Sequence, residues 1–155
     1  MNVGSLYLHP KKNIMPRPVH SRKIEGPPRM MGYKPFGMEK CRMGSVNLKL
    51  EEFESIRLAI YETCSQEEAA KSMNVSRPTF TRIYNRALKA IAQALIEGRC
   101  LEIDGGDFLT DKEWYRCNKC NKIIEGKDNH TRCVNCKSFS INELVRISNK
   151  SENKY

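Results

Sequence analysis

Apolar residues recur at three- and four-residue steps only in the middle of this chain. Leu50, Phe53, Ile56 and Ile60 mark one amphipathic helix running to about Glu62, with regular structure beginning near Asn47. A second helix is expected to start at Ser65, whose hydroxyl can accept from an early amide while Glu68 completes a capping box. Its apolar positions are Ala69, Ala70 and Met73, and Asn74 suits the left-handed residue that ends a helix. Ser76 is then the cap of a third helix, and Pro78 is tolerated because first-turn amides have no intrahelical partner. Phe80, Ile83, Ala87, Leu88, Ile91 and Leu95 form its expected buried stripe, and Gly98 ends it. "CLEIDGGDF" at 100–108 reads as a short strand with a Gly-Gly turn.

The flanks carry no such period. Residues 1–45 are rich in Pro, Gly, Lys and Arg and read as an extended, partly ordered basic arm. Residues 46–108 form the helical domain, 109–113 a linker, 114–147 a cysteine-held module and 148–155 a disordered tail. The fold expected is mainly α: a three-helix helix-turn-helix domain of the winged-helix-like superclass, plus a small β zinc ribbon.

A helix-turn-helix needs small residues where its two helices cross and apolar ones to hold the angle. Ala69 and Ala70 supply the first; Val75, Phe80 and Ile83 supply the second. With that face buried, Ser76, Arg77, Thr79, Thr81, Arg82, Asn85 and Arg86 fall mainly on the outer side. These are donors suited to phosphates and base edges, and Arg and Asn can read guanine and adenine bidentately.

Charge supports this assignment. The chain has 155 residues, with 27 Lys+Arg against 18 Asp+Glu, a net charge of +9 that favours an anionic partner. Residues 1–45 hold nine basic and two acidic residues, while residues 46–98 hold seven of each. The middle is neutral but polarised: Glu67 and Glu68 precede an acid-free run from Ser76 to Lys89. The acids are expected to face away from a duplex and the run to face it. Arg17, Arg22 and Lys23 in the arm are candidates for phosphate or minor-groove contact.

At these residues the chain resembles a known family. "SQEEAAKSMNVSRPTFTRIYNRALKAIAQALIEG", "LEIDGGDF" and the upstream "MPRPVHSRKI", "YKPFG" and "LKLEEFESIRLAIYE" resemble a prokaryotic family of predicted DNA-binding proteins, domain-of-unknown-function family 134, over about residues 15–108. Its helix-turn-helix is similar to region 4 of RNA polymerase sigma factors, which contacts promoter DNA. The resemblance implies a fold and DNA binding but no known regulon. Where the family commonly has Gly in the turn, this chain has Asn74. Residues 1–14 precede the family-like "MPRP", so Met15 is a candidate native start and the first fourteen residues are expected to be dispensable.

Seven cysteines are an odd number, and four of them form "CNKC" at 117–120 and "CVNC" at 133–136, twelve residues apart. Two such pairs can bring Cys117, Cys120, Cys133 and Cys136 into the tetrahedron that one structural zinc ion accepts. The aromatic and β-branched residues around them suit short strands, and the metal would supply much of the folding energy. Cys41, Cys64 and Cys100 read as small buried or incidental thiols.

Double-stranded DNA is the expected partner and transcriptional regulation the expected role, in the cytoplasm. No stretch approaches the roughly 18 apolar residues of a membrane span. No Gly-rich phosphate loop or nucleophile–base set points to an enzyme or a small-molecule substrate. Two other classes stay open: an adaptor that docks on RNA polymerase without reading DNA, and a rubredoxin-like electron carrier with iron in the four thiolates.

Overall fold

A computed structural model of the chain describes residues 21–37, 44–127 and 143–147. Among the described residues, eight short strands and three α-helices follow one another. They are β1 (Arg22–Lys23), β2 (Gly32–Tyr33), β3 (Ser45–Leu48), α1 (Leu50–Ile56), α2 (Gln66–Ser72), α3 (Arg77–Ile96), β4 (Cys100–Ile103), β5 (Phe108–Leu109), β6 (Trp114–Cys117), β7 (Ile123–Glu125) and β8 (Leu144–Arg146). Beyond α1 the chain continues as a π-helical turn, Arg57–Tyr61.

The expectation of a mainly α three-helix domain, with one short strand at 100–108 and a small β ribbon after it, is overturned. The strands lie in three sheets, ordered β1-β5, β2-β4-β3 and β7-β6-β8, and the first two belong to the helical unit. β3 and β4 are parallel neighbours, with Ser45 opposite Cys100 and Leu48 opposite Ile103. Parallel neighbours need a long crossover, and here all three helices form it. β2 pairs antiparallel with the other edge of β4, and β1 pairs parallel with β5. These strands are two to four residues long, too short to show an alternating pattern, and their partners lie far away in sequence. Asn47 accordingly sits in β3 and not in the first helix.

The arm is also corrected between 21 and 37. Ile24 is only 1 % exposed and joins the core, and its amide donates to the Leu109 carbonyl. Burying one isoleucine and pairing the flanking amides is enough to order β1. The rest of the arm, residues 1–20 and 38–43, lies outside the described residues together with Met15, as does the tail after Ile147.

Two cores share α3. Leu58, Ala69, Ala70, Met73, Phe80 and Ile83 close the second and third helices against the π-helical turn. Ile24, Leu48, Leu50, Ala87, Ile103 and Phe108 pack the middle of α3 on the sheets, with Ile91 and Ile147 at the margin. Leu88 and Leu95, expected in the buried stripe, are instead 41 % and 77 % exposed. The sheets and α1 cover α3 along Ala87, Ala90, Ile91 and Ala94, and those two leucines fall at the flank of that face, beyond its cover.

Arg57 fastens this assembly. Its guanidinium meets Glu54 at 2.7 Å and Glu25 at 2.8 Å, and also bonds Glu62. Its pKa is raised, first by the hydrogen bond to the buried Glu54 carboxylate. The Glu25 that follows the first strand is thereby tied to the end of α1.

Glu51 is less comfortable. It is buried in the first turn of α1, and its Oε2 has no hydrogen-bond partner. That oxygen packs against Gly106, where a Cβ would come within 1.9 Å of it and where φ is +111°. Burial pushes the Glu51 carboxyl above the usual carboxylate range, against the pull of its own amide and of Lys49 and Arg22. The folded state therefore favours the protonated acid more than the unfolded chain does. Stability is full below the unfolded-state pKa and falls as pH rises through the folded one. Glu51→Gln is expected to stabilise the protein at neutral pH, with the gain vanishing below about pH 4. Urea midpoints of both proteins across that range are the check. An equal difference at both ends would show that the charge of Glu51 is not what costs stability.

Candidate nucleic-acid interface

α2 opens on the expected capping box: the Glu68 amide donates to Ser65 Oγ at 3.3 Å, and the Ser65 amide donates to the Glu68 carboxylate at 2.9 Å. A hydrogen bond from the Ser65 hydroxyl, and after it the one from the Ser65 amide, holds the exposed Glu68 carboxyl below its ordinary pKa. α2 ends in a Schellman turn, with the Val75 amide on the Ala70 carbonyl and the Asn74 amide on the Lys71 carbonyl. Asn74 takes φ +53°, the left-handed conformation anticipated for it. The turn is therefore built from backbone bonds alone. Ala69, Ala70 and Met73 meet Phe80 and Ile83 beneath it.

α3 begins at Arg77 after Ser76, which is extended at φ −73°, ψ 150°. The Ser76 hydroxyl bonds Thr79 Oγ1 at 2.9 Å and no backbone amide, so it links the first-turn side chains and does not cap. With Phe80, Ile83 and Ala87 buried, Arg77, Arg82, Asn85 and Arg86 are exposed, Arg82 and Asn85 opposite that stripe and Arg77 and Arg86 at its flanks. Arg82 and Asn85 make no hydrogen bond or ion pair with the described residues. The others are engaged. Arg77 pairs with Glu67 at 3.5 Å, and Arg86 pairs with the buried Glu52 at 3.4 Å. Thr81 is half-buried and donates to Gln66 and to the Arg77 carbonyl, each at 3.0 Å. Glu67 thus stands at the edge of the basic face, at the side of Arg77, and does not point wholly away from it.

Arg22 and Lys23 are not on a loose arm. They form β1, where Arg22 is paired with Asp107 at 3.5 Å and Lys23 with Asp111 at 2.6 Å. The Lys23 amide donates to the Met73 carbonyl, which fastens the strand to the end of α2. Sequence reasoning missed this because Met73 lies 50 residues beyond Lys23 and Asp107 lies 85 beyond Arg22. Arg17 lies outside the described residues.

The cysteine module shows half of its expected ligand set. Cys117 ends β6 and is buried; Cys120 is half-buried. Between them the chain turns sharply, with the Asn121 amide on the Cys117 carbonyl at 2.8 Å and Asn121 at φ +57°. That turn brings both sulfurs into one short loop, the arrangement a knuckle requires. Cys133, Cys136 and Cys41 lie outside the described residues. Among the described residues, no three His, Cys, Asp or Glu side chains gather as a metal site. Cys64 is a half-buried thiol as expected, whereas Cys100 is disulfide-bonded and not an incidental thiol. Disulfide pairing follows spatial neighbours at a strand start such as β4, which sequence spacing does not reveal.

The module is docked on the helical unit. Trp114 packs so closely on Gly26 that an added Cβ would lie 2.7 Å from its ring, and Arg116 reaches Asp104 at 3.9 Å. Among the described residues no helix is long and apolar enough to cross a membrane.

The architecture is thus a helix pair with a basic outer face, enclosed between parallel strands and carrying a cysteine turn on an appended sheet. The chain belongs to the family described as "Protein of unknown function DUF134", whose model matches residues 12–111. Its relatives include a "UPF0251 protein" of Methanothermobacter thermautotrophicus, 39% identical over 129 residues, spanning 83% of this chain and 67% of the relative. A "UPF0251 protein" of Halothermothrix orenii is 41% identical over 116 residues, 75% of this chain and 86% of that one. One from Clostridium botulinum strain Loch Maree is 40% identical over 130 residues, 82% of each. No solved structure matches the chain.

Proposed function

We propose that α2 and α3 act as a helix-turn-helix that lays the N-terminal half of α3 against double-stranded DNA, in a cytoplasmic transcriptional regulator. The observation that carries this reading is the outer face of α3. Arg77, Arg82, Asn85 and Arg86 stand exposed there, Arg82 and Asn85 opposite Phe80 and Ile83, and no acid occurs between Glu68 and Glu97. A duplex neutralises such a face, and the unengaged Arg82 and Asn85 are the side chains positioned to reach base edges. Arg77 and Arg86, already paired with carboxylates, would exchange those partners for phosphates.

Arg82→Ala is expected to cost on the order of 1–3 kcal/mol on a selected site and to relax sequence preference. Neutralising Arg77 and Arg86 should weaken all duplexes alike and lower the salt slope by roughly one unit per lost phosphate contact. Binding measured on selected and random duplexes over a salt series separates the two. Unchanged binding of Arg82→Ala to both duplexes would mean that α3 does not read DNA. Retained capture of RNA polymerase by that same protein would then favour the adaptor role.

The reading includes one structural zinc ion held by Cys117, Cys120, Cys133 and Cys136. Support comes from the tight turn joining the first two. The ion would hold together strands that bury very little apolar surface of their own.

A further inference from the structure

α3 changes character along one face. Its first ten residues expose arginines and asparagine; its last turns expose Leu88 (41 %), Ala92, Leu95 (77 %) and Ile96 (85 %). Positions 88, 92, 95 and 96 follow the spacing of a single helical stripe. Neither core reaches it, because α3 presents Phe80, Ile83, Ala87 and Ala94 inward. An apolar stripe is a poor surface for phosphates, so the basic half and the apolar half of this face call for different partners.

We propose that the stripe is a self-association surface on which a second copy of this chain lies antiparallel, crossing near Ala92. The charges beside the stripe favour that occupant. Lys89, Gln93 and Glu97 run along one flank at four-residue steps, a cation at one end and an anion at the other. A two-fold axis perpendicular to the paired helices brings like flank to like flank in opposite direction. Lys89 of one copy then faces the partner's Glu97, and the reverse holds by symmetry. Leu88 of each copy meets the partner's Ile96, and the small Ala92 allows close approach at the centre. A parallel two-fold would instead put the two Lys89–Glu97 flanks on opposite sides of the pair, where they cannot meet. Glu97 already receives Gln93 at 3.2 Å and Arg99 at 3.2 Å, which holds its carboxylate toward this flank and keeps it ionised.

The area is small. One stripe of four side chains lies well below the roughly 800 Å² per partner of a stable interface, so the dimer is reversible and concentration-dependent. Its N-terminal basic halves point away from each other, which would suit two separated half-sites. The association itself requires no DNA and is tested without it.

Sedimentation equilibrium of the full chain over a range of concentrations is expected to show monomer and dimer. Leu95→Glu should give monomer throughout, with an unchanged circular dichroism spectrum because the residue is exposed. Lys89→Glu and Glu97→Lys should each weaken the dimer by about tenfold, and the double variant should restore it. A wild-type chain that stays monomeric up to about 1 mM would overturn the proposal. So would a dimer indifferent to Leu95→Glu, and failure of the double variant to recover would overturn the antiparallel arrangement.

Discussion

Truncating Phe80 to alanine is expected to cost the protein about 3–5 kcal/mol and to unfold much of it at moderate temperature. The ring is fully buried among Leu58, Ala69, Ala70 and Met73, and it stacks on Tyr84 with centroids 6.1 Å apart. α2 cannot sink into the space left behind. Its end is held by the Schellman bonds and by the Lys23 amide on the Met73 carbonyl, so the cavity stays open. Leu95→Ala on the same helix is the control, expected within about 0.5 kcal/mol in dilute protein because that side chain is exposed. Urea midpoints compare the two. A Phe80→Ala cost no larger than the Leu95→Ala cost would mean that this core does not hold the helix pair.

Cys117→Ser, or removal of metal by a strong chelator, is expected to melt β6, β7 and β8 while the helix pair persists. The described part of that sheet buries only Tyr115, Cys117 and Ile124, too little to remain folded without the ion proposed for it. The core beneath the helix pair takes no residue from this sheet, and the other core is met only by Ile147, just after β8, at its margin. Trp114, the only tryptophan, reports the event directly. Its indole nitrogen is buried and its ring lies on Gly26, so its fluorescence should shift to the red as the sheet releases. Amide exchange in α2 and α3 should stay slow. A metal-free protein with unchanged tryptophan emission would remove zinc from the account.

The helices were legible because their signals are local. Ser65 and Glu68 lie three residues apart, and Asn74 terminates α2 within one turn of Ala70. Phe80, Ile83 and Ala87 repeat at the helical period over a single segment. The exposure of Arg77, Arg82, Asn85 and Arg86 was legible for the same reason, since the uncovered positions follow once the inner ones are known. Leu88 and Leu95 show where that logic stops. A period assigns residues to faces, but which apolar face is covered depends on what packs there.

By itself, then, the sequence determined α2, its capped ends, the turn after it and the burial of Phe80, Ile83 and Ala87 on α3, through bonds and contacts spanning at most a few residues. It also placed Cys117 and Cys120 on one turn. Only the tertiary structure decided that the helices are a crossover between β3 and β4, and that Arg22 and Lys23 form a strand against Asp107 and Asp111. The same holds for the exposed apolar end of α3. Pairs such as Ser45 with Cys100 join strands of two to four residues across more than fifty others. Such short strands have no periodicity of their own, and the register that makes them strands exists only once the chain between them has folded.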